Sequence, residues 1–121
     1  MHSKAKTAGS ETATGLSEGT ASRHAFLSSL FWWVIGMTSG FMASLLLAYP
    51  DVVPGPALLN FGHIWPVHVH LGIFGWIGMA FAGAIYFMTP VLCKTPLWSE
   101  KLGVWNVWLW NVGLVIAGLT L

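Results

Sequence analysis

Three histidines, His63, His68 and His70, fall within the run Phe61-Gly62-His63-Ile64-Trp65-Pro66-Val67-His68-Val69-His70-Leu71. A neutral imidazole offers one lone pair to a metal and one N–H to an acceptor, so each is a candidate ligand or proton carrier. Spacing narrows the choice. Successive residues of a helix turn by ~100°, which puts His68 and His70 about 200° apart and unable to hold one metal from one helical face. On a strand the same His-x-His pair would share a side and chelate. His68 carries the most information, because it opens a long apolar segment. An imidazole in hydrocarbon is costly and by default marks a functional site.

Other chemistry is thinly represented. The single Cys93 excludes an internal disulfide and a thiolate zinc cluster, and reads as a small interfacial residue. Asp51 and Glu100 fall on opposite sides of the expected membrane, so no nucleophile, base and orienting group assemble from the residues present. Ser99-Glu100-Lys101 reads as a helix start, with Ser99 as N-cap and Glu100 favourable to the helix dipole. His2 and His24 flank a polar tail and carry no argument.

The elements that must position these groups are apolar and long. Of 121 residues, 55% are hydrophobic and 7% charged, with eight Trp, against roughly 25% charged in soluble domains. A mean hydropathy of +0.70 agrees. The expected fold is an all-α membrane protein whose surface is covered by lipid and neighbouring helices. The net charge of +1 gives no reason to expect nucleic acid as a partner. Residues 1–24, rich in Ser, Thr, Ala and Gly, are expected to be a disordered polar tail. They do not resemble a signal peptide, since the apolar run that follows is too long. Residues 25–121 are expected to form a transmembrane domain with helices at about 25–49, 66–89 and 102–121, each reaching the ~20 residues that cross a bilayer. Pro66 suits a first helical turn and Thr89-Pro90 suits a helix end. The third span runs to the last residue without a closing signal, as in a chain that continues further.

Lys4, Lys6 and Arg23 precede the first span and Lys94 and Lys101 lie between the second and third, whereas 50–65 contains neither Lys nor Arg. The N-terminus and second loop are therefore expected on the cytoplasmic side, and His68 near the outer face. Tyr49, Trp65, Trp98 and Trp105 fall near expected boundaries, as in an aromatic belt. Gly36 and Gly40 form a small-xxx-small pair that permits close helix contact.

Helical steps from His68 pass Gly72, Gly75, Met79, Ala82 and Gly83, a stripe nearly free of bulk. Such a groove accepts a flat macrocycle or a closely packed helix. His70 lies nearer Phe74, Ile77 and Phe81. The favoured role for His68 is an axial haem ligand through a neutral imidazole nitrogen. The plain alternative is a histidine satisfied by hydrogen bonds to a neighbouring helix. His63 in the outer loop is a candidate donor to a carboxylate such as a haem propionate, or a solvated loop residue.

The run Phe61-Gly62-His63-Ile64-Trp65-Pro66-Val67-His68 resembles the start of the second helix in the catalytic subunit (subunit I) of haem-copper oxidases, in the cbb-type oxidase and nitric oxide reductase branch. There the pattern is Gly-Arg-x-Arg-Pro-[Val/Leu]-His. Thr95-Pro96-Leu97-Trp98-Ser99-Glu100-Lys101-Leu102-Gly103, followed by Trp108-Leu109-Trp110-Asn111, is similar to the second-to-third helix connection of cbb-like subunits. The stretch 31–51 fits the first helix more loosely. The resemblance covers about residues 25–121.

The resemblance implies that these are the first three helices of a twelve-helix bundle, an N-terminal fragment of a respiratory catalytic subunit. It implies that His68 is an axial ligand of low-spin haem b. Electrons from a cytochrome c or similar donor would pass to a site reducing oxygen, as in cytochrome c oxidase, or nitric oxide. The full subunit would add a second haem and a copper or iron centre on later helices. The implied setting is the bacterial inner membrane, beside other helices and subunits of a respiratory complex. The sequence departs from the pattern where two arginines, which pair with haem propionates in the family, are replaced by His63 and Trp65, weaker counter-charges than guanidinium. His70 stands where many relatives carry a polar amide. The rival reading is a small stand-alone haem-binding or structural membrane protein related to subunit I.

Overall fold

Three helices account for nearly all of the computed structural model, which describes residues 16–51 and 59–121. They are α1, Thr20–Ala48; α2, Phe61–Cys93; and α3, Glu100–Thr120. At 29, 33 and 21 residues, all three are long and apolar enough to cross a bilayer. The all-helical membrane architecture expected from composition is the one observed, and no strand occurs among the described residues.

The helix ends differ from the sequence-based positions for local reasons. Residues 1–15 of the expected tail lie outside the described residues, but Thr20–His24 already belongs to α1. This early start is supported from another helix. Glu100, 2% exposed, accepts from the Gly19 amide at 3.0 Å through one carboxylate oxygen and from the Ala21 amide at 2.9 Å through the other. First-turn amides have no partner within their own helix, and a carboxylate there also meets the positive end of the dipole. Ser99 caps α3 as expected, its hydroxyl accepting from the Leu102 amide at 3.3 Å. Glu100 therefore serves two helix starts at once. The same contact places the start of α1 and the α2–α3 connection at one end of the bundle.

Helix α2 begins before Pro66 because Asn60 caps it, its side chain accepting from the His63 amide at 2.9 Å. Pro66 lies one turn in, where the only loss is the bond its N–H would have made to Gly62. At the other end the helix continues past Pro90 to Cys93 and stops at Lys94, whose φ of 52° is left-handed.

The middle of α2, Leu71–Gly78, is wound as a π-helix. Carbonyls in this wider stretch take side-chain donors from both neighbours: Ser29 Oγ donates to Trp76 O at 3.0 Å and Trp110 Nε1 to Phe74 O at 3.1 Å. Such segments are rare and concentrate at functional sites. Farther along, Ser22 Oγ donates to Gly83 O at 2.9 Å.

Helix α1 packs along the full length of α2 and also against α3, while α2 and α3 touch each other less. Three small clusters form the interior: Ala25, Met79 and Val107; Trp32, Leu71 and Leu114; Ala43, Leu46 and Ile64. Polar bonds supplement them. Asn111 accepts from Trp32 Nε1 and donates to Ser28 Oγ at 3.0 Å, and Asn106 donates to Tyr86 Oη at 2.7 Å. At the closest approach of α1 and α3, a Cβ on Gly103 would stand 2.6 Å from that of Ala21. Most large apolar side chains of the three helices face outward, and Trp98 in the α2–α3 connection is the most exposed at 91%.

Candidate functional site

His68 is carried by α2 just before the π-helical stretch, and α1 presents Gly36 and Gly40 to it. Its Nδ1 lies 2.7 Å from the Gly36 carbonyl oxygen. A carbonyl can only accept, so Nδ1 holds the proton and Nε2 keeps its lone pair. The ring rests on Gly40, where an added Cβ would stand 2.5 Å from Cε1. The half-buried ring is thus fixed in tautomer and orientation by helix α1. Metal-binding histidines are prepared in this way, with the second nitrogen donating to a carbonyl or carboxylate. The bond to Gly36 is the hydrogen bond to a neighbouring helix that the plain alternative for His68 expects.

The ring borders a cleft of about 340 Å³ formed by α1 and α2 alone. Gly36 and Gly72 line it with the ring, and Trp33, Ile73 and Trp76 supply apolar walls. A Cβ on Gly72 would meet nothing within 4 Å, so the cleft is open at that glycine. Farther down the glycine stripe the groove is filled by α1: Trp32 covers Gly75 and Phe26 covers Gly83. The bulk-free face therefore divides, its His68–Gly72 end remaining open and the rest receiving a helix.

The other two histidines of the motif open elsewhere. His70 lines a cleft between α2 and α3 with Phe74 and Trp110, its ring 4.9 Å from that of Phe74. His63 borders a third cleft with Ile35, Ser39 and Val67. The structure brings Trp65 rather than His63 beside His68, with ring centroids 5.9 Å apart; Trp65 also stacks on Phe61 at 5.9 Å. Among the described residues, no three His, Cys, Asp or Glu side chains converge. His68 is the only one of the three histidines with a side-chain hydrogen bond among the described residues.

Sequence reasoning did not identify the Gly36 carbonyl as the partner of His68, nor Gly40 as its platform. The signal was present in the small-xxx-small pair, which was read only as a packing motif. The double capping by Glu100 and the bonds from Ser22 and Ser29 to α2 carbonyls were also unforeseen, because they depend on helix register across the bundle.

Comparison with known proteins gives a consistent result. The family model described as cytochrome c and quinol oxidase polypeptide I matches residues 52–121. A cytochrome c oxidase subunit 1 homolog of Agrobacterium tumefaciens (strain T37) is 28% identical over 95 residues, covering 78% of this chain and 17% of that protein. The cbb3-type cytochrome c oxidase subunit CcoN1 of Stutzerimonas stutzeri is 26% identical over 95 residues, covering 78% of this chain and 20% of that one. Cytochrome c oxidase subunit 1 of Rhodobacter capsulatus is 44% identical over 54 residues, 43% of this chain and 10% of that protein. The chain thus spans at most 20% of the length of these relatives. No solved structure matches it.

Proposed function

The chain belongs to the cytochrome c and quinol oxidase polypeptide I family, and on that premise we propose that it forms one side of a low-spin haem b pocket in a respiratory catalytic subunit. In this reading His68 is the axial ligand through Nε2. The observation that carries it is the 2.7 Å bond between Nδ1 and the Gly36 carbonyl, which leaves Nε2 as the free lone pair. Haem b, when bound, supplies reversible one-electron transfer. The chain's residues hold and tune it. The Gly36 carbonyl fixes the plane of the imidazole, and Trp33 and Trp76 supply apolar walls to the cleft, where hydrogen bonding and burial are levers that set a haem potential.

The propionates would meet neutral donors here. His63 is the donor proposed from the sequence. Trp65 lies closer to the ligand ring, and its indole N–H is the second donor at a position where the family pattern carries arginine. Both are weaker counter-charges than guanidinium.

Family membership supports a wider role for the whole subunit. The whole subunit takes electrons from a cytochrome c or similar donor. Haem b, held here by His68, would relay electrons toward a second haem and a copper or iron centre carried by the rest of the subunit, for the reduction of oxygen or nitric oxide. The subunit resides in the bacterial inner membrane with its N-terminus on the cytoplasmic side, as the Lys and Arg placement favours. The residues present belong to electron transfer rather than to bond breaking.

The test is a reduced-minus-oxidised spectrum of the full-length subunit, comparing His68→Ala with His70→Ala. Loss of the low-spin signal in the first variant alone supports ligation by His68. An unchanged spectrum in His68→Ala overturns it.

A further inference from the structure

A second cleft lies on the side of α1 away from His68. It has a volume of about 750 Å³ and is bordered by α1 from His24 to Ile35 and by α3 from Trp108 to Ile116. Its walls are almost wholly apolar, Leu27, Phe31, Val112 and Val115 among them. At the start of α1 it runs into a polar hollow of about 370 Å³ that shares His24 and Leu27 with it and adds Glu18 and Arg23. We propose that this continuous groove binds one phospholipid, its phosphate at Arg23 and His24 and one acyl chain between α1 and α3.

Three observations select this occupant. First, depth: His24 and Ile35 are eleven residues apart on α1, a rise of ~16 Å, close to half of the ~30 Å hydrocarbon core. The groove is about one leaflet deep, the reach of a lipid tail. Second, charge: among the described residues neither the Arg23 guanidinium nor the His24 ring makes a hydrogen bond or ion pair. Both lie in the first five residues of α1, at the end of the helix that the Lys and Arg placement favours on the cytoplasmic side. Third, the hollow is mixed in sign, because Glu18 shares it. A phosphate for Arg23 and an ammonium for Glu18 describe a zwitterionic aminophospholipid better than a purely anionic one.

The experiment measures phospholipid retained by the purified full-length subunit in detergent, by mass spectrometry of the intact protein. It then measures rebinding from vesicles of phosphatidylethanolamine and of phosphatidylglycerol. Arg23→Ala is expected to retain about fivefold less lipid, the effect of one basic side chain near a headgroup, and Arg23→Lys to restore most of it. Val112→Trp, which fills the apolar part and leaves the basic pair intact, is expected to abolish retention. Inorganic phosphate is expected not to compete. The proposal is overturned if retention is equal in all variants, or if inorganic phosphate displaces the lipid. It is also overturned if a cysteine at Val112 crosslinks to a later helix of the subunit, which would show the groove filled by protein. Preference for phosphatidylglycerol would overturn the role given to Glu18.

Discussion

The imidazole of His68 lies against the backbone of Gly40, so close that a Cβ on that glycine would stand 2.6 Å from Nδ1. The obstacle is a ring already held by its bond to Gly36, which cannot swing aside without breaking that bond. Gly40→Ala is therefore expected to cost about 1–3 kcal/mol, as overpacking does, and to weaken or shift the low-spin haem signal of the full-length subunit. Gly36→Ala is the control. Its Cβ would meet Leu71 at 3.7 Å, an ordinary contact, so the spectrum and thermal midpoint should stay near those of the parent.

Replacing Glu100 tests the double cap. Glu100→Ala leaves the Gly19 and Ala21 amides without their acceptor, and a buried orphan donor costs about 1–3 kcal/mol. Glu100→Gln keeps one carbonyl acceptor and should fall between Ala and the parent. Thermal unfolding in detergent, with amide exchange at Ala21 as the local readout, gives the order.

The Asn111 node joins α1 to α3 through Trp32 and Ser28. Asn111→Leu preserves bulk and removes both bonds. Interhelical hydrogen bonds in membranes average about 0.6 kcal/mol and reach about 1.7, so a loss of roughly 1 kcal/mol is expected in the unfolding of the bundle.

Trp65→Phe keeps an aromatic ring between Phe61 and His68 while deleting the indole N–H. If that donor meets a propionate, the haem midpoint potential should fall, because an uncompensated negative charge favours the oxidised iron. Redox titration of the full-length subunit reads this directly. An unchanged potential would return the propionate contact to His63 or to groups elsewhere in the subunit.

The sequence made the three spans legible because hydropathy over twenty residues is a strong local signal. It also made His68 legible, because an imidazole within such a span demands a reason. Helix ends were less legible. Asn60 moves the start of α2 ahead of Pro66, and Glu100 extends α1 back to Thr20; the first cap is local, but the second comes from a residue 79 positions away from the amide it serves. His63 was expected in the outer loop, but the Asn60 cap brings it into α2, where five residues of helix turn it ~140° from His68 and into a different cleft. The glycine stripe was correctly read as smooth. How much of it would be taken by α1 depended on Trp32 and Phe26, whose placement no single-helix pattern encodes.

The clasp at Glu100 has a consequence for biogenesis. Helix α1 is synthesised before α3, yet the carboxylate that satisfies its opening amides arrives only as α3 begins. Until the ribosome has added those residues, the Gly19 and Ala21 amides have only water to bond, and the leading hairpin stays frayed at one end. A nascent chain halted before Glu100 should exchange its Ala21 amide freely, and one extended past α3 should protect it. Locking of the first helix is thus timed by the arrival of the third.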